Sequence, residues 1–240
     1  MNESEPTNQT EEKMESRSRL IMDVQSLVER SADAPQWKAG RNAANISTTQ
    51  LTLMITGEVL PTTDAPEWFA QFLDTVRQPS AVFVVEAVTR ERADRLVIAG
   101  AQDRIAIRLD GPLDRSEIAL SDVSALMEAL SSPLSGSQNL GPRTAPAQTL
   151  EIPKDADLGG LSIHLSALER AERVVRYSAV LGRDSTSPQV NELLLLNDDR
   201  QWWRAIVTQT AEAQHLALSP IDNNGISIAL RDFVSATVGA

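Results

Sequence analysis

The 240-residue chain is 42% hydrophobic and 23% charged and contains no cysteine, a composition that folds in water and excludes disulfide frameworks, thiol nucleophiles and Cys-ligated zinc. Its 33 acidic residues against 22 basic ones give a net charge of −11. That field repels phosphate backbones and anionic lipid headgroups, so neither nucleic acid nor a membrane surface is an expected partner.

Residues 1–19 hold Glu3, Glu5, Glu11, Glu12 and Glu15 among Asn, Thr, Ser and Gln. Such a segment buries too little to offset the entropy of ordering, and a disordered acidic tail is expected. Met1 to Thr10 lacks the basic and apolar regions of a signal peptide, and the chain has no run of about 18 apolar residues, so a cytoplasmic protein is expected. From Leu20, the spacing Leu20, Val24, Leu27, Val28 predicts an amphipathic helix to about Ser31, which Ala34-Pro35 would end. TTQLTLMI, Thr48 to Ile55, alternates Leu51, Leu53 and Ile55 with other residues and predicts a strand turned at Gly57.

Asp64 is placed to cap a helix with Pro66 and Glu67 in its first turn; Phe69, Phe72, Leu73 and Val76 share its apolar face, and Pro79 stops it. Three strands then follow at Ala81 to Val88, Arg95 to Ala99 and Arg104 to Leu109, an antiparallel meander joined by short connections. A fourth at Glu117 to Leu120 leads to a helix capped by Ser121, with Val123, Leu126, Met127 and Leu130 on one face. A Ser/Pro/Gly-rich stretch comes next and predicts a linker at 133–154 between a first half, 20–132, and a second, 155–240.

Beyond the linker, Leu158, Leu161, Leu165, Leu168 and Val175 trace a leucine stripe. This predicts a helix that could extend through Arg176 to Leu181. Asn191 to Leu196, Gln201 to Thr208 and Gln214 to Leu218 read as a second meander, and Asn223-Asn224-Gly225 opens a last helix with Ile226, Leu230, Phe233, Val234 and Thr237 on one face. The meanders match when Val82 is set on Val190, Leu96 near Trp203 and Ile105 near Leu216. An offset of about 105 to 110 residues indicates duplication of a half-protein unit. The fold class expected is α+β, with duplicated antiparallel meander-plus-helix halves forming a central sheet with flanking helices and helical bundles.

The search for chemistry is short. No glycine-rich phosphate loop, HExxH or GxSxG motif occurs, and the two histidines, His164 and His215, have no metal-ligand spacing. No catalytic residue, metal or cofactor is expected. Asp198-Asp199 and Asp222-Asn223-Asn224-Gly225 fit turns, where short polar side chains bond the local backbone. Trp202 and Trp203 are adjacent in a strand and point to opposite faces, so either both faces are covered there or one indole is free to anchor a partner. Leu193 to Leu196 is an uninterrupted leucine run that suits either a core or an interface. The candidate partner-binding residues are Trp202, Trp203, Leu193, Leu195, Leu161, Leu165 and Leu168.

The segment WFAQFLDTVRQPS, Trp68 to Ser80, leading into Val82 to Val88 and Arg95 to Leu109, resembles the EspG family of type VII (ESX) secretion-associated chaperones. So does Leu216 to Val234, where Leu218-Ser219-Pro220 precedes a terminal helix. The resemblance covers roughly residues 50–130 and 158–238. It implies a two-half fold with a central antiparallel sheet, and a cytosolic, non-enzymatic function without ATP or metal. The implied client is the hydrophobic tip of a helical PE–PPE heterodimer. The regions it assigns to client contact are the second meander and the helix from Leu158. The long polar N-terminus, the shorter length and the few glycines in the second half depart from the family pattern. Two readings stand beside it: a hydrolase or ligand-binding protein needing His164 or His215 near carboxylates, and a structural subunit that associates with itself.

Overall fold

A computed structural model of the chain describes residues 20–22, 42–61, 65–89, 91, 93–135, 147–152, 172–181, 190–198, 201–209 and 214–238. In chain order these are strand β1 (Leu20–Met22), β2 (Ala43–Ser47), helix α1 (Thr48–Thr56), β3 (Val59–Pro61), α2 (Glu67–Arg77), β4 (Ala81–Thr89), β5 (Ala93–Ala101), β6 (Arg104–Gly111), β7 (Arg115–Asp122), α3 (Leu126–Ser131), β8 (Gln148–Ile152), β9 (Arg173–Leu181), β10 (Val190–Asn197), β11 (Trp202–Gln209), β12 (Gln214–Ile221) and α4 (Asn223–Val238). Among the described residues, ten strands form one sheet in the order β2-β7-β6-β5-β4-β9-β10-β11-β12-β8. Every pairing in it is antiparallel. β1 and β3 pair separately and in parallel.

The strand order is symmetric about the β4–β9 seam, where nine residue pairs run from Ala81↔Leu181 to Thr89↔Arg173. On each side lies a four-strand meander followed by a helix, and the short strand that precedes the meander in sequence returns to its outer edge. The fold is thus the expected duplicated α+β sheet, but its true alignment is one strand away from the one read in the sequence. Val82 corresponds to β9 rather than to Val190. From Ala81 to Arg173 is 92 residues and from Arg115 to Gln214 is 99. The source of the slip is β9 itself. The leucine stripe allows the helix to extend through its RVVRYSAVL, whereas Val175, Tyr177 and Ala179 are buried at period two in a central strand.

Further elements differ from expectation. TTQLTLMI is a helix, because its ends favour one: the Ser47 side chain accepts from the Gln50 N–H at 3.2 Å, and Gly57, at φ 80°, returns its N–H to the Met54 carbonyl. Leu51 and Met54, three apart, are fully buried. The Arg77 guanidinium, from the last turn of α2, also donates to the Met54 carbonyl (2.6 Å) and the Ile55 carbonyl (3.3 Å), so it closes the C-terminus of α1. Leu20–Met22, expected to begin a helix, is strand β1; residues 23–31 lie outside the described residues. The stretch expected as a linker, 133–154, contains β8. α2 starts after Pro66, which makes no side-chain cap, and Asp64 lies outside the described residues. Asp122 rather than Ser121 caps the turn ahead of α3, accepting from the Ser124 N–H at 2.8 Å.

Each sheet face has its own core. On the first face, Phe83, Leu96, Ile107, Tyr177 and Leu195 pack with Leu130 of α3 and Phe233 of α4 in one cluster that spans the seam. On the second face, α1 and α2 cover Ile46, Ala99, Ala106, Ile118 and Leu120 of the first half. A separate cluster of Val174, Leu194, Leu196, Trp203, Ala205, Leu216 and Leu218 fills the second half. α4 starts where Asp222 accepts from the Gly225 N–H at 2.6 Å. A Cβ at Gly225 would sit 2.6 Å from Ile221 Cγ1, so close approach requires glycine there.

Candidate functional site

The second meander contains the irregularity that defines the candidate site. β10 and β11 are neighbours, yet their ladder holds only four pairs, from Asn197↔Trp202 to Leu194↔Ala205. Past that point Val190–Leu193 remain paired with β9 and Ile206–Gln209 with β12. The two strands part while each continues as regular strand. Between them lies a cleft of ≈ 270 Å³ whose lining includes Arg176, Glu192, Leu194, Arg204, Ile206 and Val207.

The closed end of the opening is held by the residues that the sequence singled out. Trp202 is 2% exposed and Trp203 8%, on opposite faces: Trp202 joins the cluster with α4, and Trp203 the cluster of the second face. The Trp203 indole N–H donates to Asp198 Oδ2 at 3.0 Å, and Asp198 Oδ1 accepts from the Gln201 N–H at 2.9 Å. The turn beyond β10 thereby fixes the register of the hairpin. Leu193 and Leu195 are buried on the first face, Leu194 and Leu196 on the second. The leucine run thus reads as a strand covered on both sides. Trp202, Trp203 and Leu195 pack inside the chain, while Leu193, also buried, is one of the residues that line the cleft. Leu161, Leu165 and Leu168 lie outside the described residues.

The open end is different. Ile206 is 48% and Val207 38% exposed, although both sit within a sheet, where apolar side chains ordinarily meet a cross-strand neighbour. Charge lies on both flanks. Arg176 donates to Glu192 at 2.6 Å and sits 3.5 Å from Glu86 across the β4–β9 seam. Arg176, Glu86, Arg95 and Asp110 stand opposite one another on successive strands, an alternating row in which each charge faces its opposite. Arg204 is exposed on the other face of the sheet, and no ion pair is seen for it among the described residues. Sequence reasoning passed over Ile206, Val207, Arg176 and Arg204. The only signal was in QWWRAIV, where Arg204 and Ile206 share a face, so one of the two has to lie in an uncovered part of the strand.

His215 is half-buried in β12, opposite Thr208, and His164 lies outside the described residues. Among the described residues no group of three or more His, Asp or Glu is placed to hold a metal ion, and no helix is long and apolar enough to cross a membrane. The arrangement presents strand edges, apolar side chains and charged flanks, which are the elements of polypeptide recognition.

No protein-family model matches the chain, and no curated protein matches it in sequence. Among solved structures it is similar to the type VII secretion system chaperone EspG5 of Mycobacterium tuberculosis, solved in complex with a PE25–PPE41 dimer. The TM-score is 0.54 at 11% identity, over 80% of this chain and 96% of the other. The resemblance first carried by Trp68 to Ser80 and by the terminal strand and helix therefore extends to the α+β fold, and at this identity it is a likeness of fold.

Proposed function

We propose that the chain is a non-enzymatic chaperone or adaptor that binds a hydrophobic, helical secretion substrate of the PE–PPE kind in the cytoplasm. The observation that carries this reading is the fold shared with EspG5 over nearly the whole of that chain, a protein captured with a PE25–PPE41 dimer. The second meander supports it physically, since each face at its open end exposes one apolar side chain, Ile206 on one and Val207 on the other, beside charged residues. Leu161, Leu165 and Leu168 are the proposed partner contacts outside the described residues. Leu193, which lines the cleft, is a further proposed contact, and Trp202, Trp203 and Leu195 hold the strands that present the surface.

The test is affinity purification of the full chain from its native cells, followed by reconstitution with any recovered protein. A soluble complex of fixed stoichiometry with a helical secreted protein, otherwise insoluble alone, is the expected result. Recovery of the chain alone at low salt, with no effect on the solubility of co-expressed secretion substrates, would overturn the reading.

A further inference from the structure

The opening between β10 and β11 has an internal control. The symmetry of the sheet sets these strands on β5 and β6, which stay paired over seven residues, from Arg95↔Asp110 to Ala101↔Arg104. β10 and β11 hold four pairs, although the strands themselves are each eight residues long. Because both continue in extended form against their other neighbours, alternate N–H and C=O groups of Val190–Leu193 and of Ile206–Gln209 turn into the gap. Among the described residues no strand receives them, and backbone groups in a sheet ordinarily find partners. The same missing rungs account for the exposed side chains. Continued register would set Leu193 opposite Ile206 and Glu192 opposite Val207.

We propose that this opening is an acceptor site for an extended segment of a partner polypeptide, which adds as a strand between β10 and β11. Two facing strand edges offer donors and acceptors from both sides, which an extended backbone can satisfy together. A helix uses its own carbonyls and amides internally and cannot. Charge selects the sequence. In a chain of net charge −11 the opening is bordered by two arginines, Arg176 and Arg204, against one acid, Glu192. Arg176 is already bridged to Glu86 and Glu192, which leaves Arg204 for the guest. The occupant therefore carries a carboxylate at its inner end, beside Arg204, and apolar side chains that meet Ile206 on one face and Val207 on the other. This inference requires only a polypeptide partner and stands independently of the secretion reading.

The experiment uses the full chain, a displayed library of random ten-residue peptides as probe, and amide hydrogen exchange on the chain with a selected peptide. Selected peptides should alternate apolar residues and include Asp or Glu. On binding, amides in 190–193 and 206–209 should exchange at least about tenfold more slowly, as newly paired strand amides do, while β5 and β6 stay unchanged. Arg204→Glu, at an exposed position that leaves the fold intact, should weaken binding by about tenfold through charge reversal. Val207→Pro, which removes a strand N–H, should abolish it. Three results would each overturn the proposal: no peptide selected, a selected peptide that binds without slowing these amides, or amides at 190–193 and 206–209 in the free chain already as protected as those of Ile98 and Ile107.

Discussion

Tyr177 is the one tyrosine of the chain, and it sits where the two halves meet, opposite Val85 of β4 and Leu193 of β10. Its ring packs edge-on to Phe233 of α4 at 6.0 Å, and its hydroxyl donates to the Leu130 carbonyl at 3.1 Å. Leu130 is in the last turn of α3, where carbonyls have no partner within the helix, so a second-half side chain closes a first-half helix. Tyr177→Phe keeps the ring and its packing and removes only the donor. The loss is one buried hydrogen bond plus an unpaired carbonyl, a cost of about 1–3 kcal/mol. Burial pushes the Tyr177 phenol far above its ordinary value of 10.0. The unfolded chain releases that proton from about pH 10 while the folded chain retains it, so the contribution is whole below that pH. It falls as pH rises, by up to about 1.4 kcal/mol per pH unit. Urea unfolding at neutral pH should show the Phe variant less stable, and a series toward alkaline pH should show the wild type, but not the variant, gaining this extra slope. Tyrosinate absorbance comes from this residue alone and should appear only with unfolding. Equal stability of the two proteins, with tyrosinate forming near the ordinary pKa in a folded chain, would refute the joining role.

Trp202→Ala and Leu195→Asp should each destabilise the chain by about 3–5 kcal/mol, the first by leaving a large cavity and the second by burying a charge. Urea unfolding checks this, and unchanged stability would mean that these faces are open rather than packed. Leu113 is 93% exposed with φ 61°, a left-handed conformation that costs a branched apolar residue about 1–2 kcal/mol. Leu113→Asn should therefore raise stability by roughly 0.5–1 kcal/mol, read as a higher melting temperature, because Asn tolerates that region. Its neighbour Asp114 accepts from the hydroxyl of Ser47 and from the hydroxyl and N–H of Thr49. These bonds, the Ser47 one foremost, hold its carboxyl below the ordinary carboxylate range. Its contribution is present above that range and lost as pH falls through the lowered value. Asp114→Ala should narrow the stability gap between neutral and acid solution, and an unchanged acid profile would show that the cap of α1 does not depend on it.

Most strands were legible because large apolar side chains recur at period two on the face that packs into a core. Ile105, Ile107 and Leu109 in β6 alternate cleanly, and the structure buries Ile105 and Ile107 within the first-face core. Where the chain was misread, a local signal competed with periodicity. In α1 the alternation Leu51, Leu53, Ile55 coexists with the helical pair Leu51 and Met54, and what decides is Ser47 three residues before Gln50 and Gly57 at the far end. Both were visible as helix-end signals. In β9 the leucine stripe ran into Val175 by accident of spacing, while Val174, Val175, Tyr177 and Val180 together favoured a strand. Losing that one strand displaced the whole internal alignment.

The opening between β10 and β11 belongs to another class of property. Apolar alternation reports which face a residue occupies and is silent about which neighbour its backbone bonds, because N–H and C=O groups are the same at every position. Leu193 in the parted segment and Leu195 in the zipped one are both buried on the same face, so composition cannot distinguish them. What does distinguish them is a comparison the chain supplies against itself. One sheet carries the same meander twice, and only the second copy, at Leu194↔Ala205, stops pairing. The buried tryptophans and the Asp198 turn secure the closed end of that hairpin. The parting is therefore local to the segment bearing Ile206 and Val207, and function is to be sought where the two halves of a duplicated fold cease to match.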